Sequence, residues 1–226
     1  MKLAIDELQD EISQYDWSFP VDWQKIHWCE IEHRCASKLI SILREESSAQ
    51  QNECDGLAQY LARDCIHCQC AKAKTDSLGD LRSWWVLDGM EVRTFDLRVK
   101  FRNDADVVYS SPNKIEAQMY RLRELVASPV LNPPVVSAWL AYLIFVRTHP
   151  FQDGNGRAAR ALFCHSLNKW TQSDEFIHPI GPYMRLHRHE FLSQMNFIQS
   201  SADLGKALNA LHVNWINSVK FMASDG

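Results

Sequence analysis

Apolar residues recur along most of this chain at three- and four-residue steps, the period of one face of an α-helix. Leu3, Leu8 and Ile12, then Ile31, Cys35, Leu39 and Ile42, keep that step, so residues 1 to 75 read as mainly helical, interrupted by a polar loop from Glu45 to Gly56. The period changes once. Phe95, Leu97, Val99 and Phe101 alternate with Asp96, Arg98, Lys100 and Arg102, which is the two-residue period of a strand. Asn103-Asp104-Ala105-Asp106 supplies turn chemistry, and Val107-Val108-Tyr109 returns as a second strand stopped by Ser110-Ser111-Pro112. One small hairpin inside a helical chain is expected.

Helical spacing resumes at Ile115, Met119, Leu122 and Leu125, behind an entry at Pro112-Asn113. After Asn132-Pro133-Pro134 the run from Val135 to Arg147 is apolar almost all round, which predicts a helix buried at the centre of a bundle. Another helix is predicted from near Gly156 to about Lys169, and two more near Leu186 to Ser200 and Leu204 to Met222. The fold expectation is all-α, a helical bundle with one β-hairpin.

Composition narrows the function classes. With 226 residues, 46% hydrophobic and 23% charged, the chain has the profile of a globular protein, which sets aside disorder and coiled coil. The balance of 24 basic against 28 acidic residues gives −4, so there is no global attraction to nucleic acid or to anionic lipid, and neither is an expected partner. No apolar run approaches the roughly 18 residues of a membrane helix. Met1-Lys2-Leu3-Ala4-Ile5-Asp6-Glu7 turns acidic before a signal-peptide core forms, so a cytoplasmic location is expected, with export by a route that reads no N-terminal signal left open. Seven cysteines, an odd number, suggest reduced thiols. Cys54, Cys65, Cys68 and Cys70, with His67 among them, contain one C-x-x-C pair and offer zinc ligands, but no second pair completes the usual spacing, and packed thiols are the simpler reading. The eight tryptophans read as core and interface residues, with Trp84-Trp85 the pair to watch for partner contact. His165, His178, His187, His189 and His212 read as surface or packing residues.

Chemistry concentrates in His149-Pro150-Phe151-Gln152-Asp153-Gly154-Asn155-Gly156-Arg157-Ala158-Ala159-Arg160, between the central helix and its successor. His149 ends a core helix with the side chain best suited to proton transfer near neutrality. Asp153 is a hard oxygen ligand of the kind Mg²⁺ takes when phosphates supply its other ligands. Gly154-Asn155-Gly156 lets backbone N–H groups converge on an anion at a helix N-terminus. Arg157 and Arg160, three apart, share a face of the first turns and suit phosphate oxygens. Taken singly, each is a helix break, a turn or a solvated helix end. Together they form a cradle for a magnesium-bound polyphosphate with a base beside it.

The segment resembles the signature of the Fic (filamentation induced by cAMP) family, H-P-F-x-[DE]-G-N-G-R-x-x-R, with every fixed position filled. The resemblance extends more weakly from Arg93 to Phe221. It implies the Fic fold, a flap at about 93–110 ahead of the signature loop 149–160, a catalytic core over 76–226, and residues 1–75 as a helical extension, a regulatory cap or part of the bundle. Downstream, His187 to Met195 is similar, with several substitutions, to a helix that helps to pack the nucleotide base. Fic members typically transfer AMP from the co-substrate ATP to a Ser, Thr or Tyr hydroxyl of a target protein. The resemblance makes His149 the general base and Asp153 the Mg²⁺ ligand. It places Gly154, Asn155 and Gly156 on the α- and β-phosphates, Arg157 and Arg160 on the β- and γ-phosphates, and Phe151 as an inward anchor. The target protein would dock along the flap. Control would come from an antitoxin-like protein or from an inhibitory helix, for which Ser41 to Glu46 is a poor match. Alternatives within the family are transfer from UTP or CDP-choline, or removal of AMP; outside it, a non-enzymatic toxin-like or adaptor module.

Overall fold

In the computed structural model, the structure describes residues 2–18, 91–100, 106–172, 197–198 and 201–223. In chain order the described elements are α1 (Lys2–Ile12), β1 (Arg98–Lys100), β2 (Asp106–Val108), α2 (Pro112–Ala127), α3 (Pro134–Thr148), α4 (Asn155–Thr171) and α5 (Leu204–Ala223). The expectations for the helices and polar loop between 19 and 75, Ser41–Glu46, the Cys54 to Cys70 group with His67, Trp84-Trp85, the turn at 103–105, His178, and the helix carrying His187 and His189 lie outside the described residues.

The apolar run opened by Pro134 forms α3, and the absence of a polar stripe decides its place. Every residue from Val135 to Leu143 is buried, and Pro134, Ile144 and Arg147 are the half-buried residues of the helix. Helices α2, α4 and α5 all pack on it, α4 most extensively, and α1 packs on α5. The stripe Ile115, Met119 and Leu122 turns α2 inward as the sequence spacing predicts, and Val126, four residues on, closes it in place of the expected Leu125, which is half-buried. Aromatic rings tie three helices at one point. Trp139 of α3 stacks on Phe163 of α4 with centroids 4.0 Å apart, and meets Trp215 of α5 edge-on at 6.0 Å. All three are fully buried. Each such side chain contributes roughly 1.5–3 kcal/mol by leaving water.

The first residues belong to the same core. Leu8, Ile12 and Trp17 join the buried cluster, and Trp17 Nε1 donates to the Ile12 carbonyl at 2.9 Å. Gln9 exchanges two hydrogen bonds with the backbone of Asn132, at 3.0 and 2.9 Å. Glu11 Oε1 accepts the Gly205 N–H at 2.9 Å in the first turn of α5. His212 of α5 is a bridge: Nδ1 accepts from Trp139 Nε1 at 3.3 Å, and Nε2 faces the Ser18 carbonyl at 3.4 Å. That pattern assigns the neutral tautomer with its proton on Nε2. Burial holds the imidazole below its ordinary pKa.

The hairpin is antiparallel, with Arg98 opposite Val108, Val99 opposite Val107 and Lys100 opposite Asp106. It is shorter at its first strand than the alternation from Phe95 predicts. The reason is local: the Phe95 carbonyl accepts a hydrogen bond from Arg93 Nη1 at 2.8 Å, so the chain bends at Phe95 and enters the ladder only afterwards. The second strand alternates as expected, with Val107 and Tyr109 buried and Val108 exposed. Among the described residues, no helix is long and apolar enough to cross a membrane.

Candidate active site

Helix α3 stops because Pro150 cannot extend it. His149 therefore becomes its C-cap, in the left-handed region at φ 49°, ψ 59°, with its N–H donating to the Phe145 carbonyl at 2.9 Å. A residue with a Cβ adopts that region at a cost of about 1–2 kcal/mol, so something must hold it there. The holding group is Arg93, which is 1% exposed. Its Nε donates to the His149 carbonyl at 2.7 Å and its Nη2 to the Thr148 carbonyl at 3.1 Å. The backbone around Arg93 adds a clamp: Val92 bridges antiparallel to Phe151, the Arg93 N–H donates to the Pro150 carbonyl at 3.0 Å, and the Gln152 N–H donates to the Glu91 carbonyl at 3.2 Å.

The imidazole of His149 lies against the ring of Tyr109, with centroids 4.0 Å apart and planes at 37°. Its Nδ1 is the buried ring nitrogen, on the side of the Val146 carbonyl, so reaction with an outside group falls to Nε2. Burial pushes the His149 pKa below the ordinary imidazole value, the Arg93 guanidinium adds to the fall, and the Val146 carbonyl opposes it. A neutral imidazole at physiological pH follows. Asp96 is the acidic neighbour of Arg93, whose own pKa burial lowers.

The loop after His149 is built from inside outward. Phe151 is fully buried, 6.1 Å from the ring of Phe145, and anchors it. Asn155 then staples it shut, for its Oδ1 accepts the Phe151 N–H and its Nδ2 donates to the Phe151 carbonyl, both at 2.9 Å. Gly154 turns the chain at φ 80°, where a side chain is disfavoured, and becomes the N-cap of α4. No side chain caps that helix at Gly154, and the N–H groups of Asn155, Gly156 and Arg157 lie at the positive end of its dipole. Asp153 stands exposed at the loop, with Oδ1 accepting the Gly154 N–H at 2.7 Å. Arg160 lies one turn into α4, only 6% exposed, and a Cβ on Gly156 would sit 3.5 Å from its Nη1. Tyr142 of α3 is its neighbour below: burial raises the phenol pKa and the Arg160 charge opposes that rise.

The structure thus gathers His149, Asp153, Gly154, Asn155, Gly156, Arg157 and Arg160 at one junction of α3 and α4. His165 and His212 lie elsewhere, on α4 and α5, inside the packing. Two residues at the junction escaped the sequence reading, Arg93 and Tyr109. Tyr109 carried a signal, since it ends the alternation on the buried face of β2. Arg93 carried none, because its side-chain partners among the described residues are main-chain carbonyls.

The junction thus joins a helix ending in a left-handed histidine, a glycine loop into an uncapped helix, and a hairpin fastened to the end of the first. The model of the Fic/DOC family matches residues 74–167. The fold agrees. The chain is similar to a Fic family protein from Desulfovibrio desulfuricans G20, with a TM-score of 0.62 and 18% identity over 98% of this chain and 74% of that one. It is also similar to a Fic domain containing signaling protein from Bacteroides thetaiotaomicron VPI-5482, with a TM-score of 0.50 and 18% identity over 99% of this chain and 93% of that one. No curated protein matches the sequence.

Proposed function

We propose that this chain is a protein adenylyltransferase, moving AMP from ATP to a Ser, Thr or Tyr hydroxyl of a target protein and releasing pyrophosphate. The observation that carries the reading is the imidazole of His149, held at the close of α3 directly before the uncapped N-terminus of α4. His149 Nε2 takes the proton of the incoming hydroxyl as its oxygen bonds to the α-phosphorus and the bond to the β-phosphate oxygen breaks. The N–H groups of Asn155, Gly156 and Arg157 and the guanidinium of Arg160 hold the phosphate oxygens, so charge on the departing pyrophosphate meets donors already in place. Asn155 has a double duty: one amide hydrogen closes the loop and the second is left for the phosphates.

Asp153 fits Mg²⁺, since it is an exposed carboxylate at the anion loop and that ion commonly takes one or two carboxylates with substrate phosphates and water. When bound, Mg²⁺ would neutralise phosphate charge. The target docks along the flap, where Val92, Phe95 and Val108 are exposed apolar side chains beside the ladder, and an extended segment gains main-chain hydrogen bonds at a strand edge.

The test is incubation with α-labelled ATP, and separately with labelled UTP or CDP-choline, in lysates supplying target. Label from ATP that His149→Ala reduces by about 10² to 10⁴ supports the reading. The rate should rise with pH along an acidic limb whose midpoint lies below the ordinary imidazole value. Label from another donor replaces ATP in the proposal, and no label from any donor favours a binding module.

A further inference from the structure

We propose that Arg93 is a positioning residue that fastens the flap to the catalytic imidazole, so that a single guanidinium sets both; this rests on His149 acting as the base proposed above. Arg93 has five N–H donors, and its four side-chain hydrogen bonds among the described residues go to carbonyls from two regions of the chain. Two acceptors flank the hairpin: Phe95, three residues before β1, and Ser110, two residues after β2. The other two, Thr148 and His149, end α3. Both legs of the flap and the backbone of His149 are therefore held by one planar group.

The arrangement answers a specific difficulty. His149 sits in the left-handed region and precedes a proline, which biases it toward extended backbone. The local bond from its N–H to the Phe145 carbonyl holds the amide but leaves the carbonyl side free. The Nε hydrogen bond fixes the direction of the His149 carbonyl, and with it the peptide that aims the ring at Tyr109, itself the residue before the Ser110 acceptor. Releasing the guanidinium lets His149 relax and lets the hairpin legs part, and both changes separate the imidazole from Tyr109. Lysine is no substitute, because a single ammonium with three donors cannot span four carbonyls set around the rim of a planar fork. The consequence is coupling: a target that shifts the flap legs shifts the base.

Arg93→Lys and Arg93→Gln in the full chain test this. Turnover at saturating ATP should fall by about tenfold or more while nucleotide affinity stays within about threefold, since only the base and flap are displaced. The His149 ring-proton resonances should lose the ring-current displacement that Tyr109 imposes, with those of His165 and His212 unmoved. A smaller fall in turnover, a matching loss of nucleotide affinity, or an unmoved His149 resonance overturns the proposal. A second arm needs no variant and no chemistry. In the wild-type chain the Arg93 and Gln152 amides, which bond between the flap approach and the signature loop, and the Tyr109 amide, which bonds across the hairpin legs to Leu97, should show exchange protection within about tenfold of one another. A wider spread overturns the coupling even where no transfer activity exists to measure, and a matched set upholds it even if the transferase reading fails.

Discussion

The two glycines that flank Asn155 separate conformational strain from ligand approach, and the same substitution at each should give opposite effects on stability. Gly154 is buried and has φ 80°. Alanine there meets its own carbonyl, at a cost of about 1–2 kcal/mol that a stiffer unfolded chain offsets in part, leaving about 1 kcal/mol of destabilisation. Gly156 is the second residue of α4, exposed and helical, and its added Cβ would meet Arg160 Nη1 at an ordinary 3.5 Å. Alanine there gains helix propensity, up to about 1 kcal/mol in a helix interior and less in a first turn. For a chain of this length about 1 kcal/mol moves Tm by roughly 2–4 °C. Gly154→Ala should therefore melt about 2–4 °C below the parent, and Gly156→Ala at or slightly above it. Calorimetry or tryptophan fluorescence on matched samples reads the difference. Both should lose transfer activity, the first through a displaced loop and the second through a methyl group beside the phosphate-binding face. If Gly154→Ala melts at or above Gly156→Ala, the left-handed turn is not what that glycine is for.

Two other outcomes follow. Asn155→Ala strips a buried pair of main-chain groups on Phe151 of their partners and should cost about 1–3 kcal/mol, read as a lower urea midpoint at constant slope; an unchanged midpoint would show that water replaces the staple. Burial lowers the pKa of His149, His165 and His212, so below the unfolded imidazole value the unfolded chain binds more protons than the folded one. Tm should accordingly fall as pH drops from about 7 to 5, and His212→Gln, which can still accept from Trp139 and donate to Ser18, should flatten that fall; an identical slope would remove His212 from the account.

The helices were legible where one local rule decided them. The all-round apolar run became the buried α3, the four-three spacing became the inner stripe of α2, and the signature loop placed its residues at one junction because proline and glycine punctuate it. Arg93 was hidden for a physical reason: carbonyl acceptors have no letter in a sequence, so a side chain satisfied by backbone looks like any other charge beside a strand. The shortened first strand was hidden by the same residue, since the Phe95 carbonyl is drawn to it. Asn155 was read as a phosphate donor, and its stapling of Phe151 depends on a loop geometry that spacing does not specify.

The helix ends on either side of the junction have opposite polarity, with carbonyls gathered at the close of α3 and amides at the opening of α4. A bare carbonyl end raises the basicity of a histidine placed there, which would leave the ring charged and idle in neutral solution. The Arg93 guanidinium sits on two of those carbonyls, Thr148 and His149, and joins burial, the larger cause, in holding the imidazole pKa down against the Val146 carbonyl, while no side chain caps the positive end. The junction thus keeps its proton acceptor empty and its anion receptor ready at the same pH.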